Sequence, residues 1–157
     1  VSTFSRFLDP QAIVLRAEAD TPEAVIRLLG GKLQALGRVH PSFVEAVIAR
    51  EATMPTGLPL GTAFNVAVPH TDPEHVIAPS LALATFDTPV VFSNMEDPDE
   101  KLPVRVVFLM ALNERKRQIE MLQQIAETIQ RPGAVEALAG ARTVDEVWAA
   151  LDQTSFA

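Results

Sequence analysis

The sequence contains no cysteine. That absence excludes a disulfide framework, a thiolate metal site and a cysteine nucleophile together. It suits a reducing compartment without requiring one. Long apolar runs are missing as well. The longest, residues 104–112, falls far short of the roughly 20 residues that span a bilayer and is broken by Arg105. The first ten residues hold no apolar core of the signal-peptide type. A cytoplasmic protein that inserts into no membrane is therefore expected. Positive charge is scarce too: 13 Lys and Arg against 20 Asp and Glu leave a net charge of −7. A nucleic-acid backbone and an anionic membrane are poor partners for such a surface. Docking to a basic protein face and plain solubility both remain open.

The familiar catalytic signatures are absent. No Gly-x-Ser-x-Gly elbow, P-loop or Gly-rich dinucleotide fingerprint occurs. The three histidines, His40, His70 and His75, lack His-x-His or His-x-x-x-His spacing, so no metal site is expected. His40 precedes Pro41 ahead of a helix, and His75 lies in a turn-rich stretch; both read as loop or surface residues.

What is present is an ordinary globular composition, 48% hydrophobic and 21% charged over 157 residues, enough for one real core. No repeat or linker divides it. Residues 1–157 read as one domain, with its core over about residues 10–152. Residues 12–16 predict a short first strand. Thr21 caps a helix with Pro22 at its first position and Val25, Leu28, Leu29, Leu33 and Leu36 at helical spacing. Ser42 and Glu45 form the pattern of a capping box for a second helix, which runs to Arg50 or Glu51. Residues 56–63 have loop chemistry. Extended runs follow at 64–68, 80–86 and 90–93, punctuated by Pro79 and Pro89. Residues 104–112 predict a strand buried on both faces. Asn113 can cap a long helix over 114–130 with an inward stripe of Ile119, Leu122, Ile125, Ala126 and Ile129. A short helix through Val135 and Leu138 comes next. The last helix begins at a second capping box, Thr143 to Glu146, and buries Val147, Leu151 and Trp148. The pattern is an α/β sandwich in one domain, with a central mixed β-sheet of about five strands flanked by helices.

In such sheets ligands sit beyond the carboxyl ends of strands, which directs attention to Pro69-His70 and to Asn113 onward. A neutral imidazole, with a reference pKa of about 6.5, keeps one nitrogen lone pair near pH 7. That nitrogen can attack phosphorus and hand the phosphoryl group on. On the residues alone, a phosphoryl-carrying histidine and a plain strand-end histidine both stay open.

Several segments in order resemble a known family. They are Arg50-Glu51 with Thr56-Gly57, then Asn65-Val-Ala-Val-Pro-His70, then Thr71-Asp-Pro-Glu-His-Val76. Val104-Arg-Val-Val-Phe-Leu-Met-Ala-Leu112 and Gln118-Ile-Glu-Met-Leu-Gln123 complete the set. The chain resembles the enzyme IIA components of the phosphoenolpyruvate-dependent sugar phosphotransferase system, in the mannitol–fructose (type-2) superfamily and its galactitol-like branch. The resemblance implies a phosphotransferase component: HPr phosphorylates His70, and the group passes to a cysteine of a cognate enzyme IIB. Transport belongs to a membrane enzyme IIC, and no metal or organic cofactor is implied.

Arg50 matches an arginine near the active histidine of many relatives, and a guanidinium suits phosphoryl oxygens; a solvated charge at a helix end is the competing role. Gln118 stands where mannitol- and fructose-type members carry a second histidine. Its amide can donate a hydrogen bond but cannot become cationic. The loop before His70 is longer than in many relatives. Arg115, Lys116 and Arg117 either attract phosphate or form a solvated helix face. Three functions stay in view: a sugar-uptake phosphocarrier, a regulatory relative controlled by His70 phosphorylation, and a non-catalytic α/β interaction module.

Overall fold

The β-branched run through residue 104 forms the middle of the sheet in the computed structural model, which describes residues 3–152. The one-domain reading of residues 1–157 and the reading of the first ten residues extend outside the described residues. Strand β5 (Lys101–Ala111) lies antiparallel to β4 (Ser80–Ser93). Beyond β4 lies β1 (Leu8–Val14), parallel to it. On the other side of β5 runs β3 (Asn65–Ala67), also parallel, and β2 (Gly57–Leu58) pairs antiparallel with β3. The order β1-β4-β5-β3-β2 is a five-stranded mixed sheet, as expected.

Two cores sandwich the sheet because β4 alternates. Leu81 and Leu83 join Phe108, Met121, Ile125 and Leu138 on one face; Ala82, Ala84 and Phe86 join Leu29, Leu33, Phe43 and Val47 on the other. Helices α2 (Pro22–Ala35) and α3 (Phe43–Thr53) cover the second face. The first is covered by α1 (Thr3–Phe7), α4 (Arg115–Ile129), α5 (Ala134–Gly140) and α6 (Val144–Leu151).

Several elements differ from expectation, each for a physical reason. The first strand starts earlier and is irregular between Leu8 and Ile13, where Pro10 cannot donate a ladder bond. The runs at 80–86 and 90–93 are one strand, because the ladder to β5 is already shifted between Thr85 and Val90, where Pro89 costs no pairing. Part of the expected loop is β2. A Cβ on Gly57 would lie 2.5 Å from the Ser93 carbonyl oxygen, so only glycine permits that backbone approach. Buried Asn65 organises the rest of this loop, donating to Thr62 O and Pro103 O at 3.1 and 2.9 Å and accepting from Leu60 N at 2.9 Å.

The capping box at Ser42 does not form. Its hydroxyl bonds to His75 instead, and Glu45 accepts from Arg27 at 2.8 Å. The residue preceding α4 is Glu114 rather than Asn113, with no side-chain cap bond. At α6, Thr143 does cap Glu146 N at 3.1 Å, while the Glu146 carboxylate reaches Arg142 N rather than the cap residue itself. Trp148 packs against the core cluster there.

Along α4 the buried residues are Met121, Ile125, Thr128 and Ile129, whereas Ile119 is 59% exposed. Gln118, three residues before Met121 and seven before Ile125, shares their face. A polar residue therefore opens the inward stripe, and Ile119 turns outward. Met121→Ala should cost about 2–5 kcal/mol in urea unfolding, and Ile119→Ala no more than about 0.5 kcal/mol.

Candidate functional site

Strand β3 delivers Val68, Pro69 and His70 from its carboxyl end. The exit is pinned: Pro69 O accepts from Met110 N at 3.1 Å, extending the pairing with β5 past the last strand residue. Proline at 69 fixes its own φ, so His70 leaves in a set direction.

The ring is half-buried, and its Nδ1 lies 2.9 Å from the Val68 carbonyl oxygen. A carbonyl can only accept, so Nδ1 carries the proton and Nε2 keeps the lone pair. Burial holds the imidazole pKa below its ordinary value; the Val68 bond opposes this, the Arg50 charge adds to it, and Asp72 weakly opposes. The ring is neutral at pH 7, with its free lone pair on Nε2.

Around it two helices, α3 and α4, converge on Asp72. Arg50, in the last turn of α3, places a terminal nitrogen 3.5 Å from Asp72 Oδ1, and Arg115, at the start of α4, reaches the same oxygen at 3.7 Å. The Arg50 Nε is buried and makes no hydrogen bond among the described residues. Gln118 donates from Nε2 to Thr71 O at 2.9 Å, with a longer contact to Leu112 O at 3.5 Å. Its amide thus braces the carbonyl of Thr71, the residue after His70.

Of the basic trio, Arg115 turns toward this loop. Lys116 is exposed, and Arg117 stacks over Phe7 at 5.8 Å and pairs with Glu114 at 3.7 Å. His40 is exposed, as expected. His75 is half-buried rather than solvent-facing. Its Nδ1 lies 2.8 Å from Ser42 Oγ and ties the 3-10 turn Pro73–His75 to the start of α3. Among the described residues no cluster of three His, Cys, Asp or Glu could hold a metal ion, and no helix is long and apolar enough to cross a membrane.

Two features escaped the sequence reading. Asp72 appeared there only as part of the segment at 71–76, and its ion pairs with two arginines come only from the fold. The pair Glu51–Thr56 is the other. Glu51, 8% exposed, accepts from Thr56 N at 2.9 Å and Thr56 Oγ1 at 2.8 Å. Burial pushes its carboxyl pKa up, and the two Thr56 bonds pull it back down. The sequence signal was that Arg50-Glu51 and Thr56-Gly57 stand among the segments that resemble the family, with nothing to show that Glu51 and Thr56 bond to each other.

Residues 6–154 match the family described as "Phosphoenolpyruvate-dependent sugar phosphotransferase system, EIIA 2". The chain belongs to this family. It is 30% identical over 114 residues to the galactitol-specific EIIA component of Escherichia coli K12, covering 73% of this chain and 75% of the relative. It is 29% identical over 151 residues to the mannitol-specific enzyme IIA component of Halalkalibacterium halodurans, covering 94% and 96%. Among solved structures, the complex of enzyme IIA-Mtl and phosphorylated enzyme IIB-Mtl from Escherichia coli superposes with a TM-score of 0.77. That match is 27% identical and covers 92% of this chain and 98% of the other. The EIIA chain is therefore a phosphotransferase component of the galactitol and mannitol type, in a family whose members engage EIIB.

The depressed His70 pKa has a consequence for stability. A base that resists protonation in the folded state contributes its full stability above the unfolded pKa, about 6.5, and loses it as pH falls toward the folded value. His70→Asn removes this loss. Urea unfolding at about pH 7.5 and about pH 5.5 should show the variant gaining on wild type at the lower pH.

Proposed function

We propose that this EIIA chain is a cytoplasmic phosphoryl carrier that accepts the group from phospho-HPr on His70 Nε2 and passes it to a cysteine of a cognate enzyme IIB. A membrane enzyme IIC would carry the sugar, galactitol or a related polyol. The observation that carries this reading is the Nδ1–Val68 bond, which leaves a neutral ring with its lone pair on Nε2. In the first transfer Nε2 attacks phosphorus, and the bond from phosphorus to the HPr donor atom breaks. The Nδ1 proton stays on the ring, whose new positive charge strengthens its bond to the carbonyl. In the second transfer the IIB thiolate attacks phosphorus, the Nε2–P bond breaks, and His70 returns to its neutral form.

Such transfers ask for positioning and charge stabilisation more than covalent work from the protein. Arg50 suits the phosphoryl oxygens: it is permanently charged, close enough to influence the ring, and has a donor left over. Arg115 adds positive charge at the same Asp72 oxygen. Gln118 supports through Thr71 rather than as a second titrating ring. The galactitol assignment rests on the 30% identity to a galactitol-specific EIIA component and on glutamine at position 118.

The test supplies phosphoenolpyruvate, enzyme I and HPr and looks for acid-labile, base-stable phosphate on the chain. Wild type should be labelled and His70→Ala should not; equal labelling of the two overturns the proposal. Arg50→Ala should slow transfer about tenfold or more with the fold intact. Wild-type rates in both directions would remove Arg50 from the site.

A further inference from the structure

The Val68 carbonyl accepts from His70 Nδ1. The chain of contacts behind it runs through the interior. Val68 N donates to both oxygens of Thr56, to Oγ1 at 3.2 Å and to the carbonyl at 3.3 Å. Thr56 in turn gives its own N–H and its hydroxyl proton to the two carboxylate oxygens of Glu51. The hydroxyl thus donates to Glu51 and accepts from Val68, so its proton position is settled by its neighbours.

Burial makes this arrangement expensive. Glu51 and Thr56 are both almost fully buried, and no Lys, Arg or His among the described residues forms an ion pair with the Glu51 carboxylate. A buried carboxylate without a cation is a poor device for stability, since an apolar side chain of similar size would avoid the desolvation cost. What it supplies is geometry: two acceptors aimed at one residue, which sets one N–H of the segment leading from β3 to His70.

We propose that Glu51 and Thr56 are positioning residues for His70, acting through the backbone of Val68 to hold the ring in its Nδ1-protonated tautomer with Nε2 free. The inference rests on the phosphocarrier reading for its purpose, but its physical content is a property of the unphosphorylated protein. The path is continuous: carboxylate to Thr56, Thr56 to Val68 N–H, Val68 C=O to Nδ1–H. Loosening its first links frees the β3 exit to rotate, and the ring proton then redistributes between the two nitrogens.

The decisive readout is the ¹⁵N spectrum of the His70 imidazole in the full chain at neutral pH. Wild type should show a protonated Nδ1 and an unprotonated Nε2. Thr56→Val, which keeps the backbone oxygen and removes the hydroxyl, should give a mixture of tautomers, as should Glu51→Gln. Thr56→Ser should restore the wild-type pattern. Transfer from phospho-HPr should fall about tenfold in the first two variants and return to within about twofold of wild type in Thr56→Ser. A wild-type tautomer pattern in both Thr56→Val and Glu51→Gln overturns the proposal, whatever happens to the transfer rate. Loss of labelling at His70 in wild type would instead strike the phosphocarrier reading and leave this one standing. Should the variants fail to fold, hydrogen exchange on wild type decides: protected Thr56 and Val68 amides support the chain, and rapid exchange at both refutes it.

Discussion

A neutral histidine has one ring proton to place on two nitrogens, and in this protein the 2.9 Å contact between Nδ1 and the Val68 carbonyl decides where it goes. Every other feature of the site acts on a ring whose polarity has already been assigned. The carbonyl itself is held by a strand only three residues long, Asn65–Ala67, so its orientation depends on bonds to both sides. Met110 N holds Pro69 from β5, and Thr56 holds Val68 from the turn after α3. A short strand between two anchors delivers a side chain with little slack.

The charges around the ring are arranged by the same convergence. Arg50 comes from a helix packed on one face of the sheet and Arg115 from a helix packed on the other, and Asp72 pulls both toward the segment after His70. One carboxylate shared between two guanidiniums leaves the cluster with surplus positive charge. In an acidic protein of net charge −7 that surplus is local, which favours an anionic group arriving at this rim over one arriving elsewhere.

Much of the architecture was readable from periodicity, because burial on one or both faces leaves a trace in residue order. The run through residue 104 announced a central strand, and the helices after Thr21 and Thr143 announced themselves by caps that form as expected. The misreadings share a cause. Ser42 and Glu45 look like a local capping pair but make tertiary bonds to His75 and Arg27, partners 33 and 18 residues away. Ile119 looks like the start of an apolar stripe, yet the inward position belongs to Gln118, whose partner Thr71 lies 47 residues earlier. At the candidate site, His70 could be picked out by its place at a strand end. Asp72 and Glu51 could not, because a carboxylate's role is set by what the fold brings to it.

The sheet's outermost strands carry a consequence of a different kind. The central ladder joins strands of 14 and 11 residues. Here it is bounded on one side by β2, two residues long, and on the other by β1, which is irregular and contains a proline. Short or interrupted edge strands are poor templates for another chain's backbone. Edges of this kind favour contacts made by side chains over strand-to-strand pairing.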